Sequence, residues 1–155
     1  MTEEKQKIIP HLWFDKEAKE AAKFYISLFP ESKITNTITL QGTPSGDSDI
    51  ASFELTGYQF MAISAGPLFK LNPSISFFLN FDPSIDKNAR NNLDVLWEKL
   101  SQDGKVLLPF DKYPFSEHYV SSVVCYHILI TFYLLTQLSW NKFPHYTANL
   151  KKSFP

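Results

Sequence analysis

The chain has 155 residues, of which 44% are apolar and 20% charged, with a formal net charge of −1; that length suits one domain or two small repeated modules sharing a core. The near-neutral balance excludes the broad basic surface that phosphate backbones require, so no nucleic-acid partner is expected. The single cysteine, Cys125, excludes an intrachain disulfide and a Cys-rich zinc site.

The first residues, Met1-Thr2-Glu3-Glu4-Lys5, are charged with no apolar run behind them. They do not resemble a secretory signal, and the cytoplasm is the expected compartment. Lys7 to Phe14 (KIIPHLWF) reads as a strand. Its alternation points Ile9, His11 and Trp13 one way and Ile8, Leu12 and Phe14 the other. Pro10 marks an edge position or an irregular ladder.

Lys16 to Phe29 reads as a helix with Asp15 as N-cap. Ala18, Ala21, Ala22, Tyr25, Leu28 and Phe29 form its apolar stripe, and Lys16, Lys19, Glu20 and Lys23 its outer face. Pro30 ends it. Ser32 to Leu40 alternates as a strand, and Gln41 to Asp49 (QGTPSGDSD) reads as a turn-rich loop. Ile50 to Leu55 and Tyr58 to Ser64 are two more strands joined at Thr56-Gly57.

The same order then begins again. Ser74 to Phe81 (SISFFLNF) reads as a strand. Asn88 to Gln102 reads as a helix with Leu93, Leu96, Trp97 and Leu100 on its apolar face, closed by Asp103-Gly104. Lys105 to Phe110 reads as the next strand. A unit of about 65 residues is thus repeated with little shared identity.

The segments HLWFDKEAKEAAKFYISLFPESKI, FMAISAGPLFK, PSISFFLNF, LWEKLSQDGKVLLPF and DKYPFSEHY resemble, in that order, PhnB-like members of the vicinal-oxygen-chelate (glyoxalase/bleomycin resistance/dioxygenase) superfamily. Proteins of this subgroup often carry the label 3-demethylubiquinone-9 3-methyltransferase. The resemblance covers about Lys7 to Tyr119. It implies an α+β fold of paired βαβββ modules, forming curved mixed sheets around a cleft. Residues 1–155 would form a single domain, with module 1 at 7–66 and module 2 at 72–119 followed by an atypical tail, 120–155. Relatives usually dimerise, so a homodimer is expected.

The tail departs from the resemblance. All 16 acidic residues lie between Glu3 and Glu117, where 12 basic residues leave a net charge of −4, whereas His118 to Pro155 holds three lysines and no acid. From His118 to Asn141 there is no Asp, Glu, Lys or Arg. Two buried strands are one reading of this stretch. A membrane-spanning helix is disfavoured by Ser121, Ser122, His127, Thr131, Thr136 and Gln137. The third reading is a tail foreign to the domain, from a shifted frame or an insertion, which would alter the second module at its C-terminal end.

Metal-dependent members of the superfamily hold one divalent ion with a His or Glu on the first and fourth strands of each module. The resemblance puts Ile9, Ala62 and Ser76 at three of these positions and the last in the acid-free tail. His118, His127 and His145 have no compact ligand spacing, so no metal site is expected. No cofactor is expected either: the five glycines are not clustered as a methyl-donor or dinucleotide turn would need. Cys125 and His127 could share a strand face, but nothing nearby would lower the thiol pKa, and a buried structural cysteine is the reading.

The sequence therefore points to a metal-free protein binding an unknown small molecule, with no membrane role. Trp13, Phe60 and Phe78 would form its aromatic cleft, and His11, Ser64, Ser76 and Asn80 its polar positions. The segment Asp111 to Glu117 reads either as an ordinary surface turn around Pro114 or as a loop closing over the ligand, with Lys112 pairing an anionic group and Phe115 adding an apolar contact. The alternative is an enzyme, a metal-dependent lyase or dioxygenase or a methyltransferase as the label says, with His11 as acid or base.

Overall fold

The structure, a computed structural model, describes residues 6–72, 74–102, 104–113, 116–123 and 129–134; the side chains of 109–110, 112–113, 116–123, 129 and 131–134 lie outside that description. The chain divides into two units, Met1–Asn72 and Pro73–Pro155.

The first unit runs β1 (His11–Phe14), α1 (Ala18–Leu28), β2 (Lys33–Thr43), β3 (Gly46–Leu55) and β4 (Tyr58–Ser64). Its sheet has the order β1-β4-β3-β2, with β1 parallel to β4 and the other neighbours antiparallel. The β3–β4 turn places Thr56 and Gly57 at φ of 47° and 88°. Positive φ at both central positions is the type I′ pattern, whose twist matches that of the strands, and glycine takes it without steric cost.

Alternation sorts this sheet into two faces. Leu12, Phe14, Ala51, Phe53 and Ala62 are buried, on the face that α1 covers through Ala18, Ala21, Ala22 and Tyr25. Alanines on both surfaces let helix and sheet approach closely. Phe53 is among the largest fully buried side chains and stacks on Phe60, with ring centroids 5.6 Å apart. Burying such side chains contributes about 1.5–3 kcal/mol each.

The second unit repeats the plan as β5 (Ser76–Phe81), α2 (Ala89–Ser101), β6 (Lys105–Tyr113), β7 (Ser116–Val123) and β8 (Leu129–Leu134), with sheet order β5-β8-β7-β6 and β5 parallel to β8. α2 buries Ala89, Leu93, Leu96 and Leu100 and packs on β5 and β8. The paired-strand reading of the charge-free stretch describes its backbone at 116–123 and 129–134, where β7 and β8 complete the sheet. Residues 124–128 and 135–155, including Cys125, His127 and His145, lie outside the described residues. Among the described residues no helix is long and apolar enough to cross a membrane.

Three local expectations are corrected. Asp15 does not cap α1; the helix starts at Ala18, whose N–H donates instead to Ser64 Oγ at 3.1 Å. The expected loop over Gln41 to Asp49 is largely strand, because β2 continues to Thr43 and β3 starts at Gly46. Side chains compensate for poor strand propensity there: the Gly42 N–H donates to Asp47 Oδ1 at 3.1 Å, and the Thr43 and Ser48 hydroxyls bond at 3.0 Å. The expected loop over Asp111 to Glu117 is likewise strand up to Tyr113 and again from Ser116.

Candidate functional site

The face of the first sheet turned away from α1 is the candidate site. Its strands are in register, so its side chains form rows across the sheet. His11, Met61, Ser52 and Asn36 are one row, with His11 paired to Met61, Met61 to Ser52, and Ser52 to Asn36. Trp13, Ile63, Ile50 and Ile38 are the next. The strand period of about 3.3 Å per residue separates successive rows by about 6.6 Å.

His11 is exposed, and its side chain makes no hydrogen bond among the described residues. Trp13 is half-buried and fixed in orientation. Its indole N–H donates to the Gly66 carbonyl at 2.9 Å, and its ring meets Phe69 edge-on with centroids 5.1 Å apart. Phe69 itself is 60% exposed. The loop after β4 is anchored at its start, where Ala65 N–H donates to Phe14 O and Gly66 N–H to Asp15 O. Gly66 lies at φ 84° against Ser45, so a side chain there would be strained.

Two predicted site residues are not on this face. Phe60 pairs with Phe53, and Ser64 with Phe14, in the register of the α1-facing side. The Ser64 hydroxyl is engaged by α1, so the expected grouping of Phe60 and Ser64 with His11 and Trp13 is corrected. One residue of parity separates the two groups, and the pairing of β1 with β4, invisible in the sequence, decides it. The sequence reading missed Met61, Ser52, Asn36 and Ile38, which only that register brings beside His11 and Trp13.

In the second unit Ser76, Phe78 and Asn80 are exposed along β5, alternating with half-buried Phe77, Leu79 and Phe81. They share one face, as their spacing predicts. Their Cα partners on β8 are Leu129, Thr131 and Tyr133. The backbone of Lys112 belongs to β6 rather than to a loop. Its side chain, and Phe115 altogether, lie outside the described residues.

The described residues do not fit a divalent metal. Beside His11, β4 offers Met61 and Ile63, and Ala62 lies on the opposite, α1-covered face. β5 and β8 contain no His, Cys, Asp or Glu. Among the described residues no group of three or more such side chains could hold an ion. A lone imidazole does not compete with water for such a metal. The β1–α1 connection, Asp15 to Glu17, contains no glycine, unlike the glycine-rich turn that follows the first strand in nucleotide-type cofactor sites.

Comparison with known proteins agrees with this architecture. The family model described as 3-demethylubiquinone-9 3-methyltransferase matches residues 6–120. A solved PhnB protein from Bacillus cereus is 29% identical, with a TM-score of 0.72, covering 83% of this chain and 99% of its own. Protein PA1353 from Pseudomonas aeruginosa is 16% identical with a TM-score of 0.69, covering 84% and 98%. A glyoxalase family protein from Bacillus cereus is 12% identical with a TM-score of 0.55, covering 88% and 99%, and so shows the fold alone. No curated protein matches the chain. The chain belongs to the 3-demethylubiquinone-9 3-methyltransferase family, as a PhnB-like member of the glyoxalase-fold, vicinal-oxygen-chelate superfamily.

Proposed function

We propose that this chain is a metal-free small-molecule binding protein whose ligand seats on the face of the first sheet opposite α1. The carrying observation is the composition of that face: an oriented tryptophan, a row of isoleucines and a histidine that is unpaired among the described residues. Apolar surface with a few placed polar groups is the usual make-up of a ligand site. Ser76, Phe78 and Asn80 present a similar mixture of polar and aromatic side chains on the second sheet.

A second reading keeps the site and adds chemistry, with His11 as general acid or base. It is favoured by the exposure of the His11 side chain and its lack of a hydrogen-bond partner among the described residues. The chain is further proposed to be cytoplasmic and homodimeric. The position of β2 at the edge of the first sheet supports association; light scattering of the purified protein would measure its mass.

The deciding experiment is native mass spectrometry with elemental analysis on protein purified without chelator. Absence of stoichiometric metal, with a small molecule retained or with added compounds perturbing the Trp13 face, is the expected result. Near-stoichiometric zinc, nickel, iron or manganese would overturn it. Loss of turnover in His11→Ala with binding retained would establish the enzyme reading.

A further inference from the structure

The rows on the first sheet's open face are graded by polarity along the strands. At one end Lys33 and Glu54 are paired across β2 and β3, beside Gln59. The middle row, His11-Met61-Ser52-Asn36, offers imidazole, hydroxyl and amide groups. The third row, Trp13-Ile63-Ile50-Ile38, is apolar apart from the indole N–H, which Gly66 already occupies. Ile38 in that row is exposed, Ile63 half-buried and Ile50 buried. The two charges of the first row have opposite signs, so this end offers no net field for an ion. The middle row offers donors and acceptors without a carboxylate or ammonium.

From this gradient we infer the ligand class: a neutral amphipathic molecule, with an apolar ring or short chain over the isoleucine row and one hydroxyl or carbonyl group over His11, Ser52 and Asn36. This inference rests on the binding function proposed above and deepens it. The row spacing of about 6.6 Å sets the distance between apolar end and polar head, close to that between the ethyl group and the hydroxyl oxygen of 4-ethylphenol. A carboxylate at the head would lose its hydration without gaining a net countercharge. A purely apolar molecule would bury the hydroxyl and amide of Ser52 and Asn36 without a partner.

Three probes of nearly equal shape test the class: 4-ethylphenol, ethylbenzene and 4-ethylbenzoate. Each is titrated into the full chain while backbone amide shifts are followed by NMR. The expected result is that 4-ethylphenol binds about tenfold more tightly than either of the others, as one additional satisfied hydrogen bond allows. Its shifts should cluster at Asn36, Ile38, Ile50, Ser52, Met61 and Ile63. In Ser52→Ala/Asn36→Leu that preference should fall to about parity with ethylbenzene, and retained amide dispersion would establish that the variant is folded. If ethylbenzene or 4-ethylbenzoate matches or exceeds 4-ethylphenol while the shifts remain on these residues, the class is wrong and the site stands. If all three probes leave this face unperturbed, or shift residues elsewhere, the site itself fails and the class with it.

Discussion

Ser64, the last residue of β4, accepts a hydrogen bond at 3.1 Å from the backbone N–H of Ala18, the first residue of α1, across 46 positions of sequence. Helix starts leave N–H groups unsatisfied, and an oxygen from a side chain commonly meets one of them. Here that oxygen comes from a strand, so the cap also ties α1 to the sheet. Glu17, at the N-cap position, makes no side-chain cap bond. Ser64→Ala should therefore destabilise the chain by about 1 kcal/mol and speed hydrogen exchange at Ala18 ahead of the rest of α1. An unchanged denaturation midpoint together with unchanged exchange at Ala18 would remove the cap's role.

Trp13 and Gly66 form the second long-range tie. The indole N–H is held by the Gly66 carbonyl, and Trp13→Phe keeps most of the apolar ring while deleting that donor. A loss of about 1 kcal/mol is expected, with faster exchange in the loop from Ala65 to Lys70. In the wild-type protein the Trp13 indole proton should exchange slowly with solvent. Rapid exchange of that proton would mean that the ring is not anchored and that the apolar row lacks a fixed end.

The two faces of the first sheet should respond differently to truncation. Phe53 is fully buried under α1 and stacked on Phe60, so Phe53→Ala should cost about 3–5 kcal/mol through lost burial and a residual cavity. Ile38 is 45% exposed on the open face, and Ile38→Ala should change stability by no more than about 0.5 kcal/mol while weakening 4-ethylphenol binding. Equilibrium urea unfolding of both variants measures the contrast. Comparable losses in the two would show that the open face is packed against something rather than available to a ligand.

The helices and most strands were legible in the sequence because their periodicity is strong. The stripe of Ala18, Ala21, Ala22 and Tyr25, and that of Leu93, Leu96 and Leu100, are buried as their spacing requires. The first strand shrank from Lys7–Phe14 to His11–Phe14, although the Pro10 carbonyl still accepts the Met61 N–H at 2.9 Å. Gly42 to Asp49 misled because glycine, proline, serine and aspartate signal a loop, while their side-chain hydrogen bonds hold a long hairpin. The site was half legible. His11 with Trp13, and Ser76 with Phe78 and Asn80, share faces by parity within one strand. Phe60 and Ser64 were misassigned because parity between strands depends on register, which no single strand encodes.

Asp49 offers a test of the sheet's edge by pH. Its Oδ1 accepts from Lys19 Nζ at 2.8 Å and from the Thr39 hydroxyl at 2.6 Å, linking α1, β3 and β2. These bonds, the Lys19 one foremost, hold the carboxyl below its ordinary value of 3.8. A depressed carboxylate contributes stability that is fully present above the unfolded value and is lost as pH falls through the folded one. The contribution is therefore intact at neutral pH and disappears only below 3.8. Both side chains are partly exposed, so the pair is screened and added salt should weaken it. An NMR titration of the Asp49 carboxyl should give a midpoint below 3.8 that rises in Lys19→Ala and, to a smaller extent, in Thr39→Val. A larger rise in Thr39→Val would make the hydroxyl the stronger partner. A midpoint indifferent to both changes would mean that α1 and β2 are not joined through this carboxylate.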